Sequence, residues 1–284
     1  MSPGEAVAPA DATGTGATGR ILDDPLAEAL RLIALADERG LVVRLMGGLA
    51  FHAQAPTWTR RIDREGRDID LATRADDRRV LSELLVAEGY TPDRQYNALY
   101  GHKQLYFLDE ARRRPVDVLV DRLEMCHGFE FRDRLAMSRP TMPLAELLLT
   151  KLQIVKINHK DLLDALILIA SHPLAGSSDG AGEGADAAAA INVARITGLT
   201  STDWGWWRTV TGNLERLRTY VESELVPDEL ETGAPLRFDP LAQLTALADA
   251  IEAAPKSTKW RLRARVGERM TWYEEPEEVG HGRG

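Results

Sequence analysis

The fold is decided by two runs of sequence, Leu45-Met46-Gly47-Gly48-Leu49-Ala50-Phe51-His52 and Arg67-Asp68-Ile69-Asp70-Leu71. The apolar residues 41–46 predict a strand that ends at two glycines, and the second run predicts another strand. Because side chains alternate along a strand, Asp68 and Asp70 are expected on one face. Neighbouring carboxylates repel each other unless a cation lies between them, and Mg²⁺ prefers such oxygen ligands. Gly47 and Gly48 lack a Cβ, so their backbone N–H groups can approach a phosphate closely.

A third carboxylate, Asp117, lies alone in the apolar, strand-like segment 115–120. A buried carboxylate without a partner is costly, so Asp117 either pairs with a cation or lies at the surface of the sheet. Three acids from two neighbouring strands can hold two metal ions for in-line phosphoryl transfer.

Two helices are predicted downstream of these strands, and the first carries Lys151. The second spans 160–171, where Asp161 and Asp164 lie one turn apart on the same face. Lys151 can either neutralise phosphate charge or pair with Asp161, and both roles are compatible with each other.

The ordered set of Gly47-Gly48, Asp68-x-Asp70 and Asp117 resembles the signature of the polymerase-beta-like nucleotidyltransferase superfamily. Many members of that superfamily have Gly-Ser where this chain has Gly-Gly. The departure removes a serine hydroxyl and leaves only backbone N–H groups to hold phosphate. The resemblance implies an α/β (α+β) fold in which a mixed sheet forms the nucleotidyltransferase core and a helical C-terminal domain follows.

The downstream helices resemble those of one branch, the abortive-infection-type nucleotidyltransferases, which include toxin components of some bacterial toxin–antitoxin pairs. Lys151 on one helix and Lys160-Asp161-x-x-Asp164 on the next carry this likeness, and Gly-Gly is shared with this branch. The whole resemblance covers roughly residues 25–172.

This resemblance implies a Mg²⁺-dependent enzyme that moves a nucleoside monophosphate from an NTP to an acceptor hydroxyl and releases pyrophosphate. The implied catalytic residues are Asp68, Asp70, Asp117, Lys151 and Asp161. Asp68, Asp70 and Asp117 would bind two Mg²⁺ ions, and Gly47, Gly48 and Lys151 would bind the NTP. Asp117 would also activate the acceptor hydroxyl.

The acceptor stays open among a tRNA 3′ end, a protein hydroxyl and a small molecule, and the toxin-like branch allows an antitoxin partner. The alternative is a non-catalytic nucleotide-binding or interaction protein that keeps the fold. Retention of all three acids counts against that alternative.

The order of predicted elements is strand, helix, strand, helix, and then successive strands over 91–97, 104–108 and 115–120. This order indicates a mixed sheet with helices largely on one face. The predicted organisation is a disordered tail over 1–20, a nucleotidyltransferase-like domain over 21–172, a flexible linker over 173–188, a helical domain over 189–273 and a disordered tail over 274–284.

Composition bounds the class of protein. The 284 residues are 44% hydrophobic and 28% charged, which is ordinary for a globular protein. No apolar run is long enough to cross a membrane. The single cysteine, Cys126, excludes an internal disulfide and a multi-cysteine zinc site, so a cytoplasmic setting is expected. The net charge of −9 argues against a general nucleic-acid binder but allows a local basic patch.

Two features have alternative interpretations. Arg60 and Arg61, in the loop between the two halves of the proposed site, either meet a triphosphate or decorate a solvated surface. Trp204, Trp206 and Trp207 either stack on a base or anchor the core of the helical domain.

Overall fold

A computed structural model describes residues 21–56, 68–176, 189–223 and 237–275. Several predictions therefore lie outside the described residues. They are the tail over 1–20, the loop with Arg60 and Arg61, most of the linker over 173–188 and the tail beyond residue 275.

Over the described ranges the chain forms ten α-helices, nine strands and two short 3-10 helices. The α-helices are α1 (Pro25–Glu38), α2 (Gly47–Gln54), α3 (Arg78–Ala87), α4 (Arg94–Tyr100), α5 (Leu144–Leu152), α6 (His159–Ser171), α7 (Val193–Thr202), α8 (Trp204–Ser223), α9 (Pro240–Ala253) and α10 (Thr258–Val266). The strands are β1 (Val43–Met46), β2 (Ile69–Thr73), β3 (Thr91–Pro92), β4 (Gln104–Asp109), β5 (Arg114–Val120), β6 (Arg122–Leu123), β7 (Phe129–Glu130), β8 (Leu174–Ala175) and β9 (Ile191–Asn192). The 3-10 helices are Arg132–Met137 and Gly267–Arg269.

Five strands form the main sheet in the order β1-β2-β5-β4-β3. Strands β2 and β5 are parallel, and the other three pairs are antiparallel. The mixed sheet that the order of elements predicted is therefore confirmed, and the fold is compatible with the α+β class that the resemblance implies. The two remaining sheets are small, β6-β7 and β8-β9.

Burial alternates along the central strands, which separates the two faces of the sheet. In β5, Val116 and Val118 are fully buried, whereas Asp117 between them is only partly covered. In β4, Leu105 and Phe107 are buried in the same alternating way. The period of two follows from the pleat of a strand. One face therefore packs into the core, and the other carries Asp117 at a more open surface.

The helices of the second half pack directly on the first half. Helix α5 contacts α7 and α8, and α6 contacts α8 and α9. One hydrophobic cluster runs through these helices and includes Leu148, Leu166, Leu217 and Leu247. The segments on either side of the predicted linker thus share a core, and their division into two domains stays a prediction.

The predicted strand over 91–97 is wrong beyond Pro92, because the chain turns there into α4. Asp93 caps this helix: its Oδ1 accepts a hydrogen bond from the Tyr96 backbone N–H at 2.9 Å. One turn on, the Asn97 side chain accepts from the Tyr106 N–H at 2.7 Å and donates to the Tyr106 carbonyl at 3.0 Å. A side-chain amide thus takes the place of a strand partner beside β4.

None of the helices in the described part of the chain combines the length and apolar character needed to span a membrane.

The first residues of the predicted C-terminal tail are among those described. The Glu274 N–H donates to the Cys126 carbonyl at 3.0 Å, and Glu275 lies 3.7 Å from the Lys156 ammonium.

Candidate active site

The register of the sheet places two of the predicted acids side by side. Asp70 on β2 is paired with Asp117 on β5, with Met46 on β1 beyond Asp70 and Tyr106 on β4 beyond Asp117. Adjacent strands lie about 4.8 Å apart, and partners in register project to the same face. We call Asp70 and Asp117, together with the neighbouring Asp68, the acid row.

Gly47, the first residue of α2, lies directly against the acid row. Its φ is +63°, a left-handed conformation that side chains other than glycine rarely adopt. A Cβ at this position would lie 1.8 Å from Asp70 Oδ2, which no side chain could tolerate without movement. Gly48 follows as the second residue of the helix, and no side chain caps this helix start. The sequence predicted a close backbone approach at Gly47, but its contact with Asp70 had no sequence signal.

Charge within the acid row shifts the ionisation of Asp70. Burial raises the pKa of its carboxyl to about 7, with further contributions from repulsion by Asp117 and Asp68, and Lys151 and Lys160 offset only part of the rise. Asp68 itself is exposed and immediately precedes β2. Burial and the neighbouring carboxylates together therefore outweigh the two lysines in setting the pKa of Asp70.

Asp117 is held by a hydrogen-bond chain that the sequence did not reveal. The Gln104 side-chain amide donates to Asp117 Oδ1 at 2.6 Å, and the Tyr96 hydroxyl donates to Gln104 Oε1 at 3.1 Å. Gln104 lies on β4 two residues before Tyr106, so it shares the face of the acid row. Only the strand register, which is set by distant pairing, brings Gln104 to Asp117.

Lys151 forms the ion pair that one of its two interpretations predicted. Its Nζ lies 2.6 Å from Asp161 and 3.1 Å from Asp164, and 5.4 Å from the centre of the Phe51 ring. Burial alone would lower the pKa of the Lys151 ammonium, but the carboxylates of Asp164 and Asp161 outweigh burial and raise the pKa. Lys151 therefore stays protonated, and its predicted contact with phosphate stays a prediction.

A single cavity of about 770 Å³ joins these features, a volume typical of small-molecule sites. Five predicted site residues line it: Gly47, Asp70, Asp117, Lys151 and Asp161. The other two are not among the lining residues: Gly48 follows the lining Gly47, and Asp68 lies two residues before the lining Asp70. Tyr96, Tyr100 and Gln104, which the sequence did not single out, also line the cavity.

The fit of this site to Mg²⁺ rests on its donors. All three acids offer the carboxylate oxygens that Mg²⁺ prefers, and repulsion by Asp117 and Asp68 contributes to the raised pKa of Asp70. Within the described ranges, no three histidine, cysteine, aspartate or glutamate side chains converge closely enough to hold a metal ion. The donor chemistry thus fits the ion, although the three carboxylates are not gathered around one point.

Two of the three tryptophans of α8 are buried, and the third, Trp207, is half-buried. Trp204 is 6% exposed and Trp206 is 4% exposed. The Trp206 ring lies 5.1 Å from His127 and 5.7 Å from Phe129, and Trp204 lies 6.1 Å from Trp207. This burial favours the interpretation as a core anchor over stacking on a base.

Burial also lowers the pKa of His127 to about 4, although the charge of Asp203 acts to raise that pKa.

A comparison with models of known protein families found no match, and neither did a comparison with curated proteins. Functional assignment therefore rests on the order of the motifs and on the geometry of the cavity.

Proposed function

We propose that this protein is a Mg²⁺-dependent nucleotidyltransferase that moves a nucleoside monophosphate from an NTP to an acceptor hydroxyl. One observation carries the proposal. Residues from separate segments of the chain, chosen from sequence because their order resembles one enzyme superfamily, line the same cavity: Gly47, Asp70, Asp117, Lys151 and Asp161.

The pairing of Asp70 with Asp117, with Asp68 nearby in the chain, supports a role for the acid row in binding a cation together with a phosphate ligand. Asp68, Asp70 and Asp117 would hold Mg²⁺, which when bound would offset negative charge on the phosphates and on the attacking and leaving oxygens. The N–H groups at the start of α2, from Gly47 and Gly48, would bind the triphosphate.

Transfer needs no covalent enzyme intermediate. The acceptor oxygen attacks the α-phosphorus and forms a new O–P bond, while the bond from the α-phosphorus to the oxygen that bridges to the β-phosphate breaks. Pyrophosphate leaves with that electron pair. Asp117 would accept the proton of the acceptor hydroxyl, because its carboxylate lies in the cavity and is oriented by Gln104. The Lys151 ammonium, fixed by Asp161 and Asp164, would offset phosphate charge.

Calorimetric titration with each of the four NTPs, with and without Mg²⁺, tests the proposal. We expect wild-type protein to bind an NTP only when Mg²⁺ is present and Asp70→Asn to lose this binding. Glu83→Gln is the matched control, since Glu83 is an exposed carboxylate on α3 paired with Arg79. It should bind as the wild type does. A folded wild type that binds no NTP would refute the proposal.

Transfer itself is tested with an NTP labelled at the α-phosphate, incubated with the protein and with separated RNA, protein and small-molecule fractions of a cell extract. Label that enters one fraction, with release of pyrophosphate, identifies the acceptor class. Mg²⁺-dependent NTP binding without transfer to any fraction would instead favour the non-catalytic nucleotide-binding alternative.

A further inference from the structure

One wall of the main cavity is aromatic and open to contact. Tyr100, the last residue of α4, lines the cavity and remains 42% exposed. Tyr96, one turn earlier, lines the same wall, and the two ring centres lie 5.0 Å apart with a tilt of 40°. An exposed aromatic side chain inside a concave site offers a flat apolar surface that a planar ligand can cover.

This aromatic wall is fixed relative to the acid row. The Tyr96 hydroxyl is bonded to Gln104, and Gln104 is bonded in turn to Asp117. Helix α4 is also fixed to the sheet, because the Asn97 side chain makes two hydrogen bonds to the Tyr106 backbone. Tyr96 and the helix that carries Tyr100 therefore need little ordering when a ligand arrives, which favours binding.

We propose that Tyr100, supported by Tyr96, is the surface on which the nucleobase of the NTP stacks. The proposal rests on the proposed function, which places the triphosphate beside Gly47 and Lys151 in the same cavity. A nucleobase is the planar part of that ligand, and every nucleobase has a face that stacks on an aromatic ring. The Gln104 amide is already bonded to Tyr96 and Asp117, so its polar atoms are engaged within the wall. Stacking on Tyr100 therefore contributes affinity for all four bases with little discrimination among them.

The test compares NTPs with inorganic triphosphate, which shares the phosphate contacts and lacks the base. In calorimetry with Mg²⁺, wild-type protein should bind NTPs more tightly than inorganic triphosphate. Tyr100→Ala should lower the affinity for each of the four NTPs by about 5- to 150-fold, the range that corresponds to measured free energies of base–aromatic stacking. The same variant should bind inorganic triphosphate as tightly as the wild type does. Tyr100→Phe keeps the ring and should retain affinity for the NTPs.

Leu99→Ala is the matched control, since Leu99 precedes Tyr100 on the same helix, is 61% exposed and does not line the cavity. It should leave both ligands unaffected. Tyr100→Leu provides a second truncation should Tyr100→Ala fold poorly, as judged by thermal unfolding.

Two outcomes separate this inference from the proposed function. The stacking site would be overturned, and the phosphate site left intact, if the wild type bound NTPs and inorganic triphosphate with equal affinity. The same conclusion would follow if Tyr100→Ala lost affinity for both ligands by the same factor. A folded wild type that binds neither ligand would overturn the proposed function and the stacking site together.

Discussion

Replacing Asp70 by asparagine should make the ligand-free protein more stable at about pH 8. The Asp70 carboxyl has its pKa raised to about 7 by burial and by the charges of Asp117 and Asp68. Between the ordinary carboxyl pKa and about pH 7, Asp70 therefore holds its proton in the folded state but loses it in the unfolded state. Over that window the free energy of unfolding falls as pH rises, and the whole penalty is present above about pH 7.

The size of the penalty follows from the shift. About three pKa units at about 1.36 kcal/mol each set an upper limit of about 4 kcal/mol. The actual cost is below this limit, because the surroundings rearrange around the charged carboxylate. We therefore expect Asp70→Asn to raise the free energy of unfolding by about 2–4 kcal/mol at about pH 8 and by little at about pH 4. Asparagine has nearly the shape of aspartate, which preserves the close contact with Gly47.

Urea unfolding followed by tryptophan fluorescence measures this gain, for the wild type and for Asp70→Asn at both pH values. Glu83→Gln serves as the control and should differ from the wild type by less than about 0.5 kcal/mol, because it changes an exposed carboxylate. A gain that is equal at the two pH values, or a loss of stability at about pH 8, would refute the account of charge repulsion in the acid row.

Three further predictions concern the same cavity. Gly47→Ala combines a left-handed φ with a clash against Asp70, whereas Gly40→Ala has the same φ problem and open space around its Cβ. In urea unfolding we expect Gly47→Ala to lower the free energy of unfolding by about 2–4 kcal/mol and Gly40→Ala to lower it by about 1 kcal/mol. Adding Asp70→Ala to Gly47→Ala should recover part of the difference. Lys151→Met should destabilise by about 3 kcal/mol because it leaves two carboxylates without their cation, while Lys103→Met, at an exposed ion pair, should change stability by less than about 1 kcal/mol. Binding of Mg²⁺ and NTP at about pH 7 should release about half a proton from Asp70, which calorimetry in two buffers of different ionisation enthalpy measures, and absence of release would contradict the raised pKa.

Local rules were enough to predict most elements of the fold. Helix α1, for example, follows the local rule for a helix start, because Asp24 caps its first turn and Pro25 is its first residue. The glycine pair predicted the end of β1 and the start of α2. The same rules failed over 91–97, where composition predicts a strand but the chain forms α4 from Arg94 onward. There Asp93 and Asn97 make side-chain hydrogen bonds that stabilise a helix, and strand propensity alone does not report such bonds.

The candidate site was predictable in its residue types but not in its arrangement. Alternation along β2 relates Asp68 to Asp70, yet only the parallel pairing of β2 with β5 sets Asp70 beside Asp117. Pairing between distant segments is a property of the whole fold, so no local pattern could supply it. The antiparallel pairing of β4 with β5 brings Gln104 to Asp117 in the same non-local way, which explains why Gln104 and the tyrosines of α4 were missed.

The contact between Gly47 and Asp70 links the folding of this region to its chemistry. A residue with a Cβ would push Asp70 away, so glycine permits a helix start and a carboxylate to occupy adjoining space. Burial, together with repulsion by Asp117 and Asp68, raises the pKa of the Asp70 carboxyl, so its ionised form is disfavoured there. A cation that entered would relieve repulsion among the acids and bring positive charge close to the N–H groups at the start of α2, where we propose that phosphate binds. The charge penalty in the ligand-free protein is therefore what would drive cation and triphosphate to bind together.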